Sequence, residues 1–272
     1  FIERNKDQPF FLYLSHYAVH TMLHGEPEWV NHFRSKDECG SSPPSKKNER
    51  NDPYEKRPAD YMASQNNPHL AAQLKVIDEG VDMIRTRLDE LGLAENTIII
   101  FTSDNGGESR VTSNQPLRAG KSTTYEGGIR VPLVIYNPQS DVQLRTSSFI
   151  TSNFDFYPTI CEMTGMSLSK HQLLDGISLV KTLEDSTVDI IRPLYWYYPL
   201  DKRHFLGGRS SGAMRRGKWK LISFFDTGES ELYNLETDLG EINDLSKEEP
   251  EILVDMLGAY DKWLMSTKAS IE

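Results

Sequence analysis

The chain has 272 residues, 38% of them hydrophobic and 26% charged, which is enough for one large domain or two medium ones. Its 30 basic and 40 acidic residues give a net charge of −10, which argues against a nucleic-acid partner bound through overall charge. No apolar run in the sequence approaches the length of a membrane span, and two cysteines cannot form a disulfide framework.

The first predicted element is a short apolar strand at residues 9–14. Its lack of polar alternation is typical of a strand buried on both faces. His16 and His20 follow it, at the end of a strand where open α/β sheets bind their ligands. Residues 34–68 are rich in Lys, Asn, Pro and Ser and predict a long surface excursion.

A helix is predicted at 69–91, because its apolar residues recur at alternating steps of four and three and Gly92 suits the residue after a helix end. Strands are predicted at 97–102 and 131–136. Ser152 and Asp155 then predict a capping box and a helix that ends at Gly165. Strands that alternate with helices indicate a largely parallel α/β sheet.

The pattern changes from about residue 192, where short segments are separated by glycines and charges. They predict a small antiparallel sheet with strands at 194–198, 213–216, 218–225 and 231–233. Ser246 and Glu249 predict a second capping box, followed by a last helix with one apolar face.

Residues 103–107 read Ser-Asp-Asn-Gly-Gly and follow the second predicted strand. Asp104 and Asn105 place a carboxylate and an amide oxygen side by side, and oxygen ligands are those that Ca²⁺ and Mg²⁺ prefer. The same residue types also form ordinary tight turns, so the motif alone leaves both interpretations open. Lys121 stands among small residues and could reach an anion, although an isolated lysine is usually a surface group.

The order of several motifs is more specific than any one of them. They are Phe-Phe-Leu-Tyr-Leu-Ser-His at 10–16 followed by His20, Phe-Thr-Ser-Asp-Asn-Gly-Gly at 101–107, Gly-Lys-Ser-Thr-Thr-Tyr-Glu-Gly-Gly-Ile-Arg-Val-Pro at 120–132, and Gly-Ala-Met-Arg-Arg-Gly-Lys-Trp-Lys-Leu-Ile at 212–222. Together they resemble the type I sulfatases of the alkaline-phosphatase-like superfamily. The resemblance covers nearly the whole chain except 34–68.

The resemblance implies an α/β fold with a mostly parallel or mixed central sheet flanked by helices. A small C-terminal α+β domain with an antiparallel sheet and a final helix would follow it. Residues 1–190 would then be the C-terminal part of the catalytic domain, and 191–272 the small domain.

The resemblance also assigns roles to four residues. Asp104 and Asn105 match the family's metal ligands, Lys121 matches the lysine that contacts sulfate, and His20 matches the histidine at the sulfate-ester oxygen. The implied metal is Ca²⁺ in preference to Mg²⁺. The family's nucleophile is a formylglycine made in a C/S-x-P-S-R motif. That motif does not occur in the chain, so the formylglycine is expected upstream of Phe1 and the chain is expected to be an inactive fragment on its own.

A sulfated carbohydrate or small molecule is the expected substrate. Aromatic residues at 195–198 precede Arg203, His204 and Arg209; aromatic faces stack on sugars and arginine pairs with anions. His204 is the best substrate-contact candidate. By analogy with the family, the expected location is periplasmic, secreted or lysosome-like.

Two alternatives remain open at this point. One is a phosphatase or phosphodiesterase of the same superfamily, although the Asp104–Asn105 pair lacks the adjacent His that a second-metal site often uses. The other is a non-catalytic module that binds carbohydrates or anions.

Overall fold

The computed structural model describes residues 1–36, 65–140, 146–169, 171–185 and 190–267. Most of the predicted surface excursion therefore lies outside the described residues. The helices are α1 (Pro27–Arg34), α2 (Pro68–Glu90), α3 (Glu126–Ile129), α4 (Phe156–Met163), α5 (Val180–Glu184) and α6 (Pro250–Ser266). The strands are β1 (Ile99–Thr102), β2 (Leu133–Tyr136), β3 (Leu194–Tyr198), β4 (Ser211–Arg216), β5 (Trp219–Phe224) and β6 (Ser230–Asn234).

The prediction of a buried strand at residues 9–14 is wrong. The side chains of Phe11, Tyr13 and Leu14 are 69%, 81% and 53% exposed, and the segment has no strand structure. A strand buried on both faces needs hydrogen-bonded neighbours and covering layers. The described residues provide neither for this apolar run.

The prediction of a long helix before the first sheet is confirmed. Asn67 caps α2 by accepting hydrogen bonds from the backbone of His69 and Leu70, and Gly92 follows the helix at φ 68°. The chain then enters β1, which pairs with β2 in antiparallel register from Ile99 opposite Tyr136. Within the described residues this two-stranded sheet is antiparallel, whereas the order of strands and helices predicted largely parallel pairing.

The capping box at Ser152 and Asp155 is also confirmed, with both reciprocal hydrogen bonds present. It leads into α4, which ends before Gly165 at φ 68°. The second predicted box is wrong: no side chain caps α6, and Ser246 instead donates to Asp244. Pro250 begins α6 instead, because the first turn of a helix tolerates a residue without an N–H.

Strands β3 to β6 form a four-stranded antiparallel sheet in sequence order, which we call the C-terminal sheet. Because side chains alternate across a strand, its two faces differ. One face packs on α6 through a buried cluster of Met214, Leu221, Leu232, Met256, Tyr260 and Leu264. The other carries Ala213, Ile222, Phe224, Tyr233 and Leu235, with Tyr125 packed against it. This second face meets the loop that carries Lys121.

Among the described residues, no helix combines the length and the apolar character needed to cross a membrane.

Candidate functional site

The turn that follows β1, residues 103–107, is called here the aspartate turn. The backbone N–H of Asn105 donates to Asp104 Oδ1 (2.9 Å), and Asn105 Nδ2 donates to the Gly106 carbonyl (2.9 Å). These bonds leave Asp104 Oδ2 and Asn105 Oδ1 without hydrogen-bond partners among the described residues. Asp104 is exposed and Asn105 half-buried. The turn therefore presents two neighbouring oxygens of the kind that bind hard cations.

The segment at 118–130, called here the lysine loop, lies directly against the aspartate turn. The Gly106 N–H donates to the Gly128 carbonyl (2.9 Å), and the Lys121 N–H donates to the Gly107 carbonyl (3.0 Å). Asn114 joins the two from the side, because its Nδ2 donates to the carbonyls of Gly107 (2.8 Å) and Ala119 (3.0 Å). The structure thus brings Lys121 together with the segment of Asp104 and Asn105.

Lys121 itself is half-buried, and its ammonium forms no ion pair with any described residue. The backbone beside it is unusual, since Ala119 and Ser122 have φ values of 58° and 71°. Residues other than glycine rarely adopt this region. The hydrogen bonds around the loop must therefore hold Lys121 in a conformation that the chain alone does not favour.

We expect Gly106→Ala to destabilise the protein by about 1–3 kcal/mol, the usual cost of overpacking. A Cβ at this position would lie 1.7 Å from the Gly127 carbonyl oxygen, so the two loops could no longer approach each other. The free energy of unfolding in urea measures the effect. Gly80→Ala in α2 is the matched control, because a Cβ there meets nothing within 4 Å; this change should be neutral or stabilising. Equal effects of both changes would contradict the close approach of the loops.

His204 lies in a short loop at 203–208, called here the histidine loop. Its Nδ1 accepts from the Leu206 N–H (3.2 Å), so a neutral His204 carries its proton on Nε2 and can donate there. The loop reaches the lysine loop: a Cβ on Gly208 would lie 1.8 Å from the Ser122 carbonyl oxygen. Arg110 adds a hydrogen bond to the Phe205 carbonyl (2.9 Å). The histidine loop therefore borders Lys121.

His20 is exposed, and its ring lies 5.3 Å from that of Tyr17. Its Nδ1 is 2.7 Å from the Thr21 carbonyl oxygen, and since a carbonyl can only accept, Nδ1 carries a proton. No hydrogen bond joins His20 to Asp104, Lys121 or His204 within the described part of the chain. The convergence of His20 on this site stays a prediction.

Sequence reasoning missed a buried ionic cluster beneath the lysine loop. The ammonium of Lys220 lies 2.9 Å from Glu126 Oε1 and 2.8 Å from Glu241 Oε1. Glu241 Oε2 accepts from the Glu126 N–H (2.8 Å). Lys220 and Glu241 are fully buried and Glu126 is 5% exposed. The sequence did contain one signal of this cluster. Lys220 lies on the same side of β5 as Ile222 and Phe224, and a lysine on a side that faces the interior needs buried partners for its charge.

The cluster shifts the ionisation of both acids. Burial alone would raise the pKa of Glu126, but Lys220 and the more distant Arg215 (3.6 Å) hold it below its ordinary value. Burial raises the pKa of Glu241, and the attraction of Lys220 only partly offsets that effect. The lysine loop is thus attached to the C-terminal sheet by charges that are paired and shielded from water.

A second contact joins the start of the lysine loop to the same sheet. Arg118 Nη1 donates to the Glu241 carbonyl and to the Tyr233 hydroxyl, each at 2.7 Å. Its guanidinium also lies 4.0 Å from the ring centroid of Tyr125, a cation–π geometry. The hydroxyls of Tyr125 and Tyr233 both donate to Glu231 (2.8 Å each). The pKa of both tyrosines is raised, mainly by burial and to a smaller extent by the Glu231 carboxylate.

The donor set of the aspartate turn fits part of a calcium site. Asp104 and Asn105 provide two oxygens, whereas Ca²⁺ takes six to eight. Within the described ranges no group of three or more His, Cys, Asp or Glu side chains is placed to hold a metal ion. Further ligands would have to come from water, substrate or other protein groups.

Two family models match the chain. The model described as Sulfatase matches residues 1–166, and the one described as N-sulphoglucosamine sulphohydrolase, C-terminal, matches residues 119–259. The first match includes the aspartate turn and Lys121, and the second includes the histidine loop.

Curated relatives agree with the family models. A sulfatase of Formosa agariphila is 32% identical over 98% of this chain and 48% of its own length. The human steryl-sulfatase is 33% identical over 68% of this chain and 28% of its own length. The chain spans about half the length of the first of these relatives, and less of the second.

Solved structures show the same likeness in three dimensions. Ps i-CgsB, solved in complex with k-i-k-neocarrahexaose, matches with a TM-score of 0.75 and 29% identity over 95% of this chain and 51% of its own. BT4656, solved with its substrate D-glucosamine-2-N,6-O-disulfate, matches with a TM-score of 0.61 and 27% identity over 72% of this chain and 40% of its own. Family models that cover most of the chain, similarity to a curated sulfatase over 98% of this chain and a shared fold lead to one conclusion: the chain belongs to the sulfatase family.

Proposed function

We propose that this chain provides the cation- and sulfate-binding part of a sulfuric ester hydrolase. The observation that carries the proposal is the hydrogen bond from the Lys121 amide to the Gly107 carbonyl (3.0 Å). This bond supports the proposal because it joins the backbone of Lys121, whose ammonium has no ion-pair partner among the described residues, to the turn that presents the oxygens of Asp104 and Asn105. A sulfate ester is an anion, and a cation together with an ammonium group would bind it and stabilise the charge that develops on cleavage.

Asp104 and Asn105 would hold Ca²⁺, and their free oxygens suit it. When bound, the metal supplies Lewis-acid stabilisation of negative charge on the sulfate group. Lys121 would contact a sulfate oxygen. His204 would donate from Nε2 to a polar group of the substrate, because its Nδ1 already accepts a hydrogen bond.

His20 would act at the bridging ester oxygen. With Nδ1 bonded to the Thr21 carbonyl, a protonated ring would still offer Nε2–H to that oxygen, and this donation would favour departure of the alcohol. The role rests on the match to the family motif.

The chain holds no match to the motif from which the family's formylglycine is made. The serine- and proline-rich stretch at 41–45 comes nearest and lies outside the described residues. We therefore infer that these 272 residues bind sulfate esters and do not turn them over by themselves.

A sulfated carbohydrate is the substrate class we favour. The solved structures that match nearly all of this chain include Ps i-CgsB in complex with k-i-k-neocarrahexaose. The steryl-sulfatase match covers a smaller share. We further propose that the chain divides near residue 190 into the remainder of a catalytic domain and a small C-terminal domain, and that it works in an extracellular, periplasmic or lysosome-like setting.

We expect Asp104→Asn to weaken Ca²⁺ binding by about tenfold or more, since loss of a carboxylate ligand should cost more than about 1.4 kcal/mol. Calorimetric titration of the purified chain with CaCl₂ measures this. Asp89→Asn is the matched control, because Asp89 is an exposed acid of α2 and its replacement should leave the affinity unchanged. Equal losses in both variants would mean that Ca²⁺ binds only through general surface charge.

The substrate class is tested by titrating the Ca²⁺-loaded chain with three ligands: D-glucosamine 6-sulfate, D-glucosamine 6-phosphate and unsulfated D-glucosamine. We expect the sulfate ester to bind most tightly and the unsulfated sugar not to bind. Preference for the phosphate ester would favour a phosphatase of the same superfamily. Equal binding of all three would overturn an anion-directed site.

A further inference from the structure

Glu241 is a buried residue that contacts the lysine loop at two separated points. Its main-chain carbonyl accepts from Arg118 (2.7 Å), three residues before Lys121. Its carboxylate accepts from the Glu126 N–H (2.8 Å), five residues after Lys121. The two contacts therefore bracket the stretch that carries the ammonium group.

The position of Glu241 is itself fixed from the C-terminal sheet. Lys220 of β5 lies 2.8 Å from Glu241 Oε1 and also reaches Glu126, so the carboxylate cannot turn away without leaving a buried ammonium partly unpaired. Glu241 has a φ of 51°, a region in which glutamate is disfavoured. Such a conformation persists where surrounding contacts determine it.

Lys121 needs such support. Ala119 and Ser122 on either side of it have positive φ values. Among the described residues, the backbone of Lys121 is bonded to the aspartate turn by one hydrogen bond, from its N–H to the Gly107 carbonyl. If the ends of the loop were released, the intervening residues would gain conformational freedom and the backbone of Lys121 would no longer be held against the aspartate turn.

We propose that Glu241, held by Lys220, is a positioning residue for Lys121: it contacts no substrate and fixes both ends of the lysine loop, so that the ammonium lies ready for the sulfate group. Through this residue the C-terminal sheet would contribute to anion binding. The inference rests on the proposed function for its effect on ligand affinity, and on geometry alone for its effect on the loop.

The test compares the wild-type chain with Glu241→Ala and with Asp155→Ala as a matched control. Asp155 is also a fully buried acid; it accepts from the N–H groups of Ser152 and Ile177 and pairs with Arg192, and it has no described contact with the lysine loop. Amide hydrogen exchange is followed residue by residue by NMR, and the affinity for D-glucosamine 6-sulfate is measured with Ca²⁺ present.

We expect Glu241→Ala to accelerate exchange of the Lys121 and Gly127 amides by about tenfold or more, as local opening becomes easier, and to weaken sulfate-ester binding by about fivefold or more. Asp155→Ala should leave both quantities within about twofold of wild type at the same fraction folded. If Glu241→Ala does not fold, Glu241→Gln keeps the size of the side chain but removes the charge that pairs with Lys220, and it should show the same pattern at smaller size.

Unchanged exchange at Lys121 in a folded Glu241→Ala or Glu241→Gln variant would overturn the proposal, as would an equal acceleration in Asp155→Ala. If the wild-type chain binds no sulfate ester but Glu241→Ala still accelerates exchange at Lys121, the positioning of Lys121 is supported and the proposed function is overturned.

Discussion

Replacement of Lys220 by Met should lower the free energy of unfolding by about 3–5 kcal/mol, the range seen when one partner of a buried ion pair is removed. The lysine is fully buried between Glu126 and Glu241. Methionine has a similar shape but no charge, so two carboxylates would be left close together in a protein interior. Unfolding in urea, followed by far-UV circular dichroism, measures the loss.

Lys75→Met provides the control for this change. Lys75 pairs with Asp78 and Glu79 on the surface of α2, and exposed pairs of this kind contribute about 0–1 kcal/mol. A loss below about 1 kcal/mol for Lys220→Met would mean that the cluster is hydrated or rearranged, and that the lysine loop is not attached through it.

Replacement of Lys121 by Ala should weaken binding of D-glucosamine 6-sulfate to the Ca²⁺-loaded chain by about thirtyfold or more. Loss of one partner of a charge-assisted contact costs about 2 kcal/mol at least. Stability should change little, because the Lys121 ammonium has no ion-pair partner among the described residues. Calorimetry gives the affinity, and urea unfolding gives the stability of the same sample.

Lys121→Arg retains the positive charge and should keep a larger part of the affinity than Lys121→Ala, although the two cations differ in shape. If Lys121→Ala bound the sulfate ester as tightly as wild type, the lysine would be an ordinary surface group. That is the alternative which the sequence had left open.

Local signals predicted most of the regular structure. Apolar periodicity predicted helix α2, a capping pattern predicted the box at Ser152, and short segments separated by glycines and charges predicted the four strands of the C-terminal sheet, all within a few residues of their bounds. Prediction of burial failed where an apolar segment has no neighbouring strand or helix to cover it. The run at 9–14 looks like a buried strand, yet its side chains are exposed, because no described strand pairs with it.

The site was predicted in part. The motif order identified Asp104, Asn105 and Lys121, and the structure joins their two segments through Gly106 and Gly107. Neither the contact of the histidine loop with Ser122 nor the contacts of Glu241 with the lysine loop could be predicted from the sequence, because these contacts join residues more than 80 positions apart. A single charged residue in a strand does not reveal its partners.

The most direct test of the central claim, that Asp104, Asn105 and Lys121 form one anion-binding site, is the coupling between Ca²⁺ and the sulfate ester. The affinity of the wild-type chain for D-glucosamine 6-sulfate is measured in CaCl₂ and again in EDTA. We expect Ca²⁺ to tighten binding by about fivefold or more, a normal size for coupled sites, and Asp104→Asn to abolish that gain. An affinity that is the same in CaCl₂ and in EDTA would contradict the account, because the aspartate turn and Lys121 would then not act on the same ligand.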